Sequence, residues 1–280
     1  MNELKEDYSL PSMCTALDVS SSGYYAHKER LTHPSERAKE DAVLKERIKE
    51  IHEESRENYG SPRILLELKK EGFSPAKKRV ARLMREALIE GVQKKAFKPA
   101  TTNSKHDNPI SPNHLQDMDF PTKPNEVWVT DTTCISVVEG WLYLAVVLDL
   151  FNREIVGWAV SEYNDTAVVL KAMYNAIEVH GHPEVHHSDR GSTYTSNAYR
   201  KLLSDYEVLS SMSAKGYCYD NAFVESLFST LKAESKVEQL GLNRSEATDQ
   251  VFEYIEAFYN THRIHTALGC SPQQYASWNC

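Results

Sequence analysis

The 280-residue sequence predicts a helical N-terminal region followed by an α/β core. Three observations carry that reading. Apolar residues recur at helical spacing through the first hundred residues, prolines cluster over 99–124, and three β-rich runs then lead into alternating helices and strands. Hydrophobic residues at 41% and charged residues at 26% are ordinary globular proportions, which exclude disorder of the whole chain. The longest apolar run, Trp141 to Leu148, meets Asp149 after eight residues and is too short to span a membrane. The polar, acidic start does not read as a signal or transit peptide. Cys14, Cys134, Cys218, Cys270 and Cys280 are odd in number and never spaced C-x-x-C, so free thiols in a reducing, cytoplasmic compartment are expected.

The clearest early helix runs from about Glu36 to His52, with Leu44, Ile48 and Ile51 at i, i+4 and i+7. Tyr59-Gly60-Ser61-Pro62 is a helix-start signal, with Ser61 as cap and Pro62 at the first helical position. A short helix through Ile64, Leu65 and Leu68 ends at Gly72. Ser74-Pro75 then repeats the signal before Val80, Leu83 and Met84. Helix, short turn, helix is the helix-turn-helix outline. Residues 61–100 hold eleven Lys and Arg against four Glu, a local net of +7 in a chain of −8, which leaves −15 elsewhere. This basic segment, with Arg63, Lys77, Lys78, Arg79 and Arg82, reads either as a DNA-binding element or as a helical bundle with a solvated face.

Five of the 11 prolines, with Asn, Ser, Thr and Asp, mark 99–124 as a linker. Strands follow at Glu126–Asp131, Trp141–Leu150 and Ile155–Val160, turned at Gly140 and at Asn152-Arg153, as an antiparallel meander. Next come a helix over 166–179 with Ala167, Leu170, Met173, Tyr174 and Ile177 on one face, a strand Val185–Asp189, a helix over 196–203, a strand over 208–212 and a helix from Asp220 to about Glu234. A last helix carries Val251, Tyr254, Ile255 and Phe258. The order βββαβαβα is that of a ribonuclease-H-like fold with a mixed five-stranded sheet. The expected organisation is a helical region 1–98 with its helix-turn-helix at about 59–98, a linker 99–124, a ribonuclease-H-like core 125–240 and a C-terminal helical extension 241–280.

Such a fold gathers acidic residues from element ends. Asp131 ends the apolar part of the first strand, Asp189 ends the short strand, and Glu225 lies one and a half turns into the helix capped by Asp220, 35 residues after Asp189. Phosphodiester chemistry at neutral pH needs an activated nucleophile and a leaving oxygen relieved of charge. Two divalent ions about 4 Å apart, held by a few carboxylates, supply both. Any one of these residues alone reads as a cap or a solvated charge; the trio in this order is what points to metal chemistry. Glu225, Ser229 and Lys232 share one face of the helix, opposite Val224, Phe228 and Leu231, so Lys232 is placed to reach a phosphate. His180-x-His182 with His186-His187 and Asp189 outlines a zinc hydrolase, but Pro183 and Glu184 stand where a ligand Asp is needed.

His187-Ser-Asp189-Arg-Gly-Ser, Ser211-Met-Ser-Ala-Lys-Gly216 and Asp220-Asn-Ala-Phe-Val-Glu225-Ser-Leu-Phe-Ser-Thr-Leu-Lys232 together resemble the DDE integrase core of OrfB-type transposases of the IS3 insertion-sequence family, which is similar to retroviral integrases. Asn125-Glu-Val-Trp-Val-Thr-Asp131, Tyr143 to Asp149, Ile155-Val-Gly-Trp158, Tyr259-Asn260 through Arg263-Ile-His265 and Leu268 agree, as do Val19 to Tyr25 and Tyr59 to Arg63 for the family's helix-turn-helix region. Asn152, Ala214 and Tyr219 depart from its usual Ser, Arg or Lys, and Trp.

The resemblance implies that Asp131, Asp189 and Glu225 are catalytic and bind two Mg²⁺ or Mn²⁺ ions, and that a DNA strand is cut at the element's end. The freed 3′-hydroxyl then attacks another phosphodiester. It places Lys232, Arg190 and Asn221 on DNA. It also implies a homo-oligomer on the terminal repeats and target DNA, an upstream OrfA-type partner or frameshift fusion, and a cytoplasmic protein at the nucleoid when DNA-bound. The other reading kept open is a DNA-binding regulatory product, inactive without that fusion.

Overall fold

The computed structural model describes residues 8–92, 108–213 and 222–279, and the chain forms two units, 1–91 and 92–280. In the first, helices α1 (Leu10–Ala16), α2 (Ser21–Thr32) and α3 (Glu36–Glu54) are capped by Ser9, Ser20 and Ser35, whose hydroxyls accept from backbone amides three residues on. Helices α4 (Ser61–Lys70) and α5 (Lys77–Glu86) follow. Leu44, Ile48 and Ile51 of α3 are buried with Ile64 and Leu68 of α4 and Val80, Leu83 and Met84 of α5, the stripes that helical spacing predicts. The helix starts differ in detail. Gly60, not Ser61, occupies the cap of α4, and α5 begins two residues beyond Pro75, which is buried and packs instead of opening the helix. Lys94, Lys95 and Lys98 lie outside the described residues.

In the second unit β1 (Val127–Val137), β2 (Gly140–Asp149) and β3 (Ile155–Ser161) form the expected antiparallel meander. Helix α6 (Thr166–His180), β4 (Val185–Ser188), α7 (Asn197–Asp205), β5 (Leu209–Met212) and α8 (Ala222–Ser235) come next. The sheet order is β3-β2-β1-β4-β5, with β4 parallel to β1 and β5 parallel to β4. This is the mixed five-stranded sheet that the element order implies. Helix α9 (Arg244–Tyr254) runs on into a π-helical turn, Ile255–Tyr259, and α10 (Pro272–Asn279) ends the unit.

Two expectations are corrected. The buried face of α6 is Val168, Val169, Ala172, Met173 and Ala176, while Tyr174 is half exposed. Small residues face the sheet because α6 crosses β3 at Gly157, where a Cβ would lie 2.4 Å from the Ala172 carbonyl oxygen and 2.6 Å from the Ala176 Cβ. The stretch 99–124 is no free linker over its described part. Asn108 Nδ2 donates to Thr195 Oγ1 (3.0 Å), the Ser111 and Ser210 hydroxyls meet at 2.9 Å, the Pro112 carbonyl accepts from Met212 N (3.2 Å), and His114 N donates to Ser211 Oγ (2.9 Å). Pro109 and Pro112 thus belong to a strap, 108–114, covering β5, the edge of the sheet.

Candidate active site

Strands β1 and β4 pair in parallel register, Val127 with Val185, Trp128 with His186 and Val129 with His187. There the ladder stops. Continued by two residues, the same register sets Asp131 beside Asp189, on one face of two adjacent strands. Asp131 is mid-strand, opposite Val146 of β2, because β1 runs six residues further than its apolar start suggested. Asp189 follows the last residue of β4. The Asp131 Oδ1 accepts from Thr132 N (2.7 Å), and the Asp189 Oδ1 from Gly191 N (2.8 Å). Both residues are half-buried.

Burial first, then the charge of Asp189 and finally that of Glu225, push the Asp131 carboxyl well above the usual carboxylate range; the Thr132 amide only partly offsets this. Glu225 stands in the first turn of α8, exposed, while Val224, Leu227, Phe228 and Leu231 on the other side of the helix are buried. Its push on Asp131 is the smallest of these. Among the described residues no three His, Cys, Asp or Glu side chains are gathered closely enough to hold a metal ion. Asp131 and Asp189 therefore form a like-charged pair, with Glu225 near it but not closed onto it.

Residues 121–218 and 206–272 match the Integrase core domain family, and residues 38–97 match the HTH-like domain family. Among solved structures, the chain is similar to the HTLV-2 integrase catalytic core domain in complex with magnesium, with 18% identity and a TM-score of 0.46 over 55% of this chain and 97% of that chain. It is 43% identical over 259 residues to the insertion element IS600 uncharacterized 31 kDa protein of Shigella sonnei, covering 92% of this chain and 94% of the relative. It is 34% identical over 276 residues to transposase InsF for insertion sequence IS3A of Escherichia coli (strain K12), covering 98% and 96%. The chain belongs to the IS3 family of insertion-sequence transposases. With an integrase core it is a polynucleotidyl transferase.

The other residues singled out from the sequence of this transposase fall into distinct settings. Lys232 is on the Glu225 side of α8, but its ammonium donates to the Cys134 carbonyl and to Glu238 (2.9 Å), and its side chain is only 13% exposed. The Arg190 Nε donates to the Ser213 carbonyl (2.7 Å). Asn221, like Asp220, Ala214 and Tyr219, lies outside the described residues. In the helical unit the Arg63 guanidinium lies 5.4 Å from the Tyr59 ring centre. Arg79 and Arg82 each hold a different oxygen of Asp41 at 2.6 Å. Lys77 and Lys78, at the start of α5, are exposed and make no ion pair among the described residues.

Hydroxyls, not a metal-ligand cluster, surround His186 Nε2 and both nitrogens of His187. Thr130 Oγ1 and Tyr199 Oη lie 3.0 and 2.9 Å from His186 Nε2, and burial drives its pKa down to about 3, so the ring is neutral. His187 meets Ser211 Oγ at Nδ1 (2.8 Å) and Ser213 Oγ at Nε2 (3.1 Å). Sequence reasoning missed Tyr194, a fully buried ring whose hydroxyl lies 3.2 Å from Thr132 Oγ1. It links the residue after Asp131 to the loop after Asp189, and its only sequence signal is its place five residues beyond Asp189.

Proposed function

We propose that this transposase cuts a DNA strand at the ends of its element and joins the freed 3′-hydroxyl to a target phosphodiester, with Asp131, Asp189 and Glu225 as the catalytic carboxylates. The observation that carries the reading is the Asp131–Asp189 pair at the point where the β1–β4 ladder ends, with Asp131 disfavoured as a lone anion by burial, by Asp189 and by Glu225. Such a pair fits divalent cations. Its donors are all carboxylate oxygens, as Mg²⁺ and Mn²⁺ prefer, and a dication would relieve the repulsion between them. The three carboxylates would hold two ions, which when bound polarise the phosphoryl oxygens and lower the pKa of an attacking hydroxyl.

The protein's own residues do the rest. The Thr132 and Gly191 amides each fix one oxygen of an aspartate and so orient the two carboxylates. Glu225 completes the set from α8 once DNA lies across the sheet. Lys232 exchanges its Glu238 carboxylate for a DNA phosphate, one oxyanion for another. Arg190, next to Asp189, Asn221, four residues before Glu225 in the sequence, and the α4–α5 pair, with Arg63, Lys77, Lys78, Arg79 and Arg82, complete the proposed DNA contacts. Two ends must be joined, so a homo-oligomer on DNA is part of the proposal, as are an upstream OrfA-type partner and a cytoplasmic, nucleoid-associated protein.

The test is nicking of labelled duplex carrying the element's own ends by the purified chain with Mg²⁺. Glu225→Gln should lower the rate at least ~10³-fold, several kcal/mol of transition-state stabilisation, and leave DNA affinity about unchanged. Cutting by that variant at the wild-type rate would refute the carboxylate assignment. Binding without nicking by the wild-type chain would support the regulatory product that needs its fusion partner.

A further inference from the structure

The β2–β3 turn carries a buried guanidinium, Arg153, that no carboxylate pairs among the described residues. Arg153 is 9% exposed, and its Nη1 is buried without a hydrogen-bond partner among the described residues. Its charge cannot be shed. Two aromatic rings meet it instead: its Cζ lies 3.9 Å from the centre of the Phe223 ring and 4.9 Å from that of Phe120, and those rings meet edge to face at 6.3 Å. Phe120 and Phe223 are themselves 53% and 39% exposed, so apolar burial alone does not account for the stack. A cation between two ring faces is held by their quadrupoles.

Both ends of this stack lead to the carboxylates. Arg153 has a left-handed backbone (φ 62°) in a turn tied to β1: Leu150 N donates to the Val127 carbonyl (3.0 Å), and Asp149 accepts from Asn125 N, Phe151 N and Trp128 Nε1. Asn152 locks the same turn, donating to Glu154 Oε2 (2.9 Å) and accepting from Glu154 N (3.1 Å). On the other side Phe223 is the second residue of α8, two before Glu225. Residues two apart on a helix point about 200° from one another. A ring held on one side of the first turn therefore sets the direction in which Glu225 leaves the other.

We propose that Arg153 is a positioning residue for Glu225, clamping Phe223 so that the first turn of α8 stands at a fixed distance and rotation relative to β1 and Asp131. The inference rests on the assignment of Glu225 as a catalytic carboxylate, and the experiment separates the two. In the full-length chain, Arg153→Met, Phe223→Leu, Phe223→Tyr and Glu225→Gln are compared by hydrogen exchange of the 222–226 amides, by Mn²⁺ binding calorimetry and by the Mg²⁺ concentration for half-maximal nicking.

The clamp predicts faster exchange at 222–226 in Arg153→Met and Phe223→Leu with protection over 228–231 retained, and a metal requirement raised about five- to thirtyfold, the range of a desolvated cation–π contact. Phe223→Tyr, which keeps the π face, should stay within about twofold of wild type. Phe223→Leu behaving as wild type, or Phe223→Tyr failing as badly as Phe223→Leu, overturns the clamp. Glu225→Gln with unaltered metal dependence would instead remove the assignment of Glu225, while the exchange data still judge the clamp. If Arg153→Met does not fold, the Phe223 pair at the surface decides.

Discussion

In the helical unit Asp41 receives the Arg79 Nε and the Arg82 Nη2, both at 2.6 Å, and Glu71 receives two nitrogens of Arg47. In the core Asp131 feels the charges of Asp189 and, more weakly, of Glu225 instead. Burial works to raise the Asp41 carboxyl, yet the hydrogen bonds from Arg82 and Arg79 outweigh it and hold the group below the usual range. For Asp131 burial and neighbouring charge push the same way, upward. A carboxylate surrounded by cations is already at rest and serves as scaffold. One set against other carboxylates raises the energy of the folded chain and is relieved only by a proton or a cation. The contrast separates structural from functional acids more sharply than net charge, which merges the two.

The widest way to test that contrast is to neutralise one member of each set. Asp131→Asn should abolish nicking and yet raise the thermal midpoint of the metal-free chain, because it removes a charge that the fold disfavours. Mg²⁺ at a hundred times its dissociation constant should stabilise the wild-type chain by about 2.7 kcal/mol and this variant hardly at all. Asp41→Asn should do the reverse, loosening the helical unit by about 1–2 kcal/mol and leaving Mg²⁺ stabilisation intact. Calorimetric scans with and without Mg²⁺ check each of these shifts. A destabilised Asp131→Asn would place Asp131 with the scaffold acids.

The core also holds a paired acid, and it sharpens the comparison. Arg263 clasps Glu234 through Nε (2.6 Å) and Nη2 (2.8 Å), Tyr254 Oη donates to the same carboxylate (2.8 Å), and both charged side chains are under a tenth exposed. Burial acts against the Arg263 charge, but Glu234 more than offsets it and holds the guanidinium ionised. This pair ties α8 to the segment after the π-helical turn, so Arg263→Ala should cost about 3–5 kcal/mol, the usual penalty for leaving one buried partner alone. Urea unfolding measures it. A loss below 1 kcal/mol would mean that Glu234 reaches water, and would remove the distinction between acids paired with a cation and acids set against one another inside the core.

How much of this was legible in the sequence follows from what the signals measure. Strand order and helix order were readable because alternation and 3.6-residue spacing report local burial. Asp131 and Asp189 were readable because both sit on one side of neighbouring elements. The end of β1 was not, since its length is set by pairing with β2 as far as Val137–Gly140, a partner effect without a local mark. The strap over 108–114 looked like linker because Pro, Asn and Ser suit both a free segment and one whose few polar groups bind an edge strand. The face of α6 was misplaced because Gly157, thirteen residues before the helix's Leu170, admits Ala172 and Ala176 to the sheet. Asn125, Trp128, Asp149 and Arg263, which entered as family signatures, proved to be hydrogen-bonded structure.

The smallest expected effect concerns the basic segment, whose charge of +7 is only partly available. Arg79 and Arg82 are spent on Asp41, Glu40 and Glu86, whereas Lys77 and Lys78 project from the start of α5. If free charge is what meets DNA, Lys77→Ala with Lys78→Ala should reduce the slope of log affinity against log salt by about 2, near one per lysine, with stability unchanged. Arg79→Ala with Arg82→Ala should reduce that slope less than the lysine pair does, because both arginines are already held by carboxylates, and should lower the thermal midpoint of the helical unit. Anisotropy titrations of a labelled duplex at several salt concentrations distinguish the pairs. Equal loss of slope in both would show that Asp41 gives up its arginines to phosphate, and that the N-terminal ion pairs are themselves exchangeable.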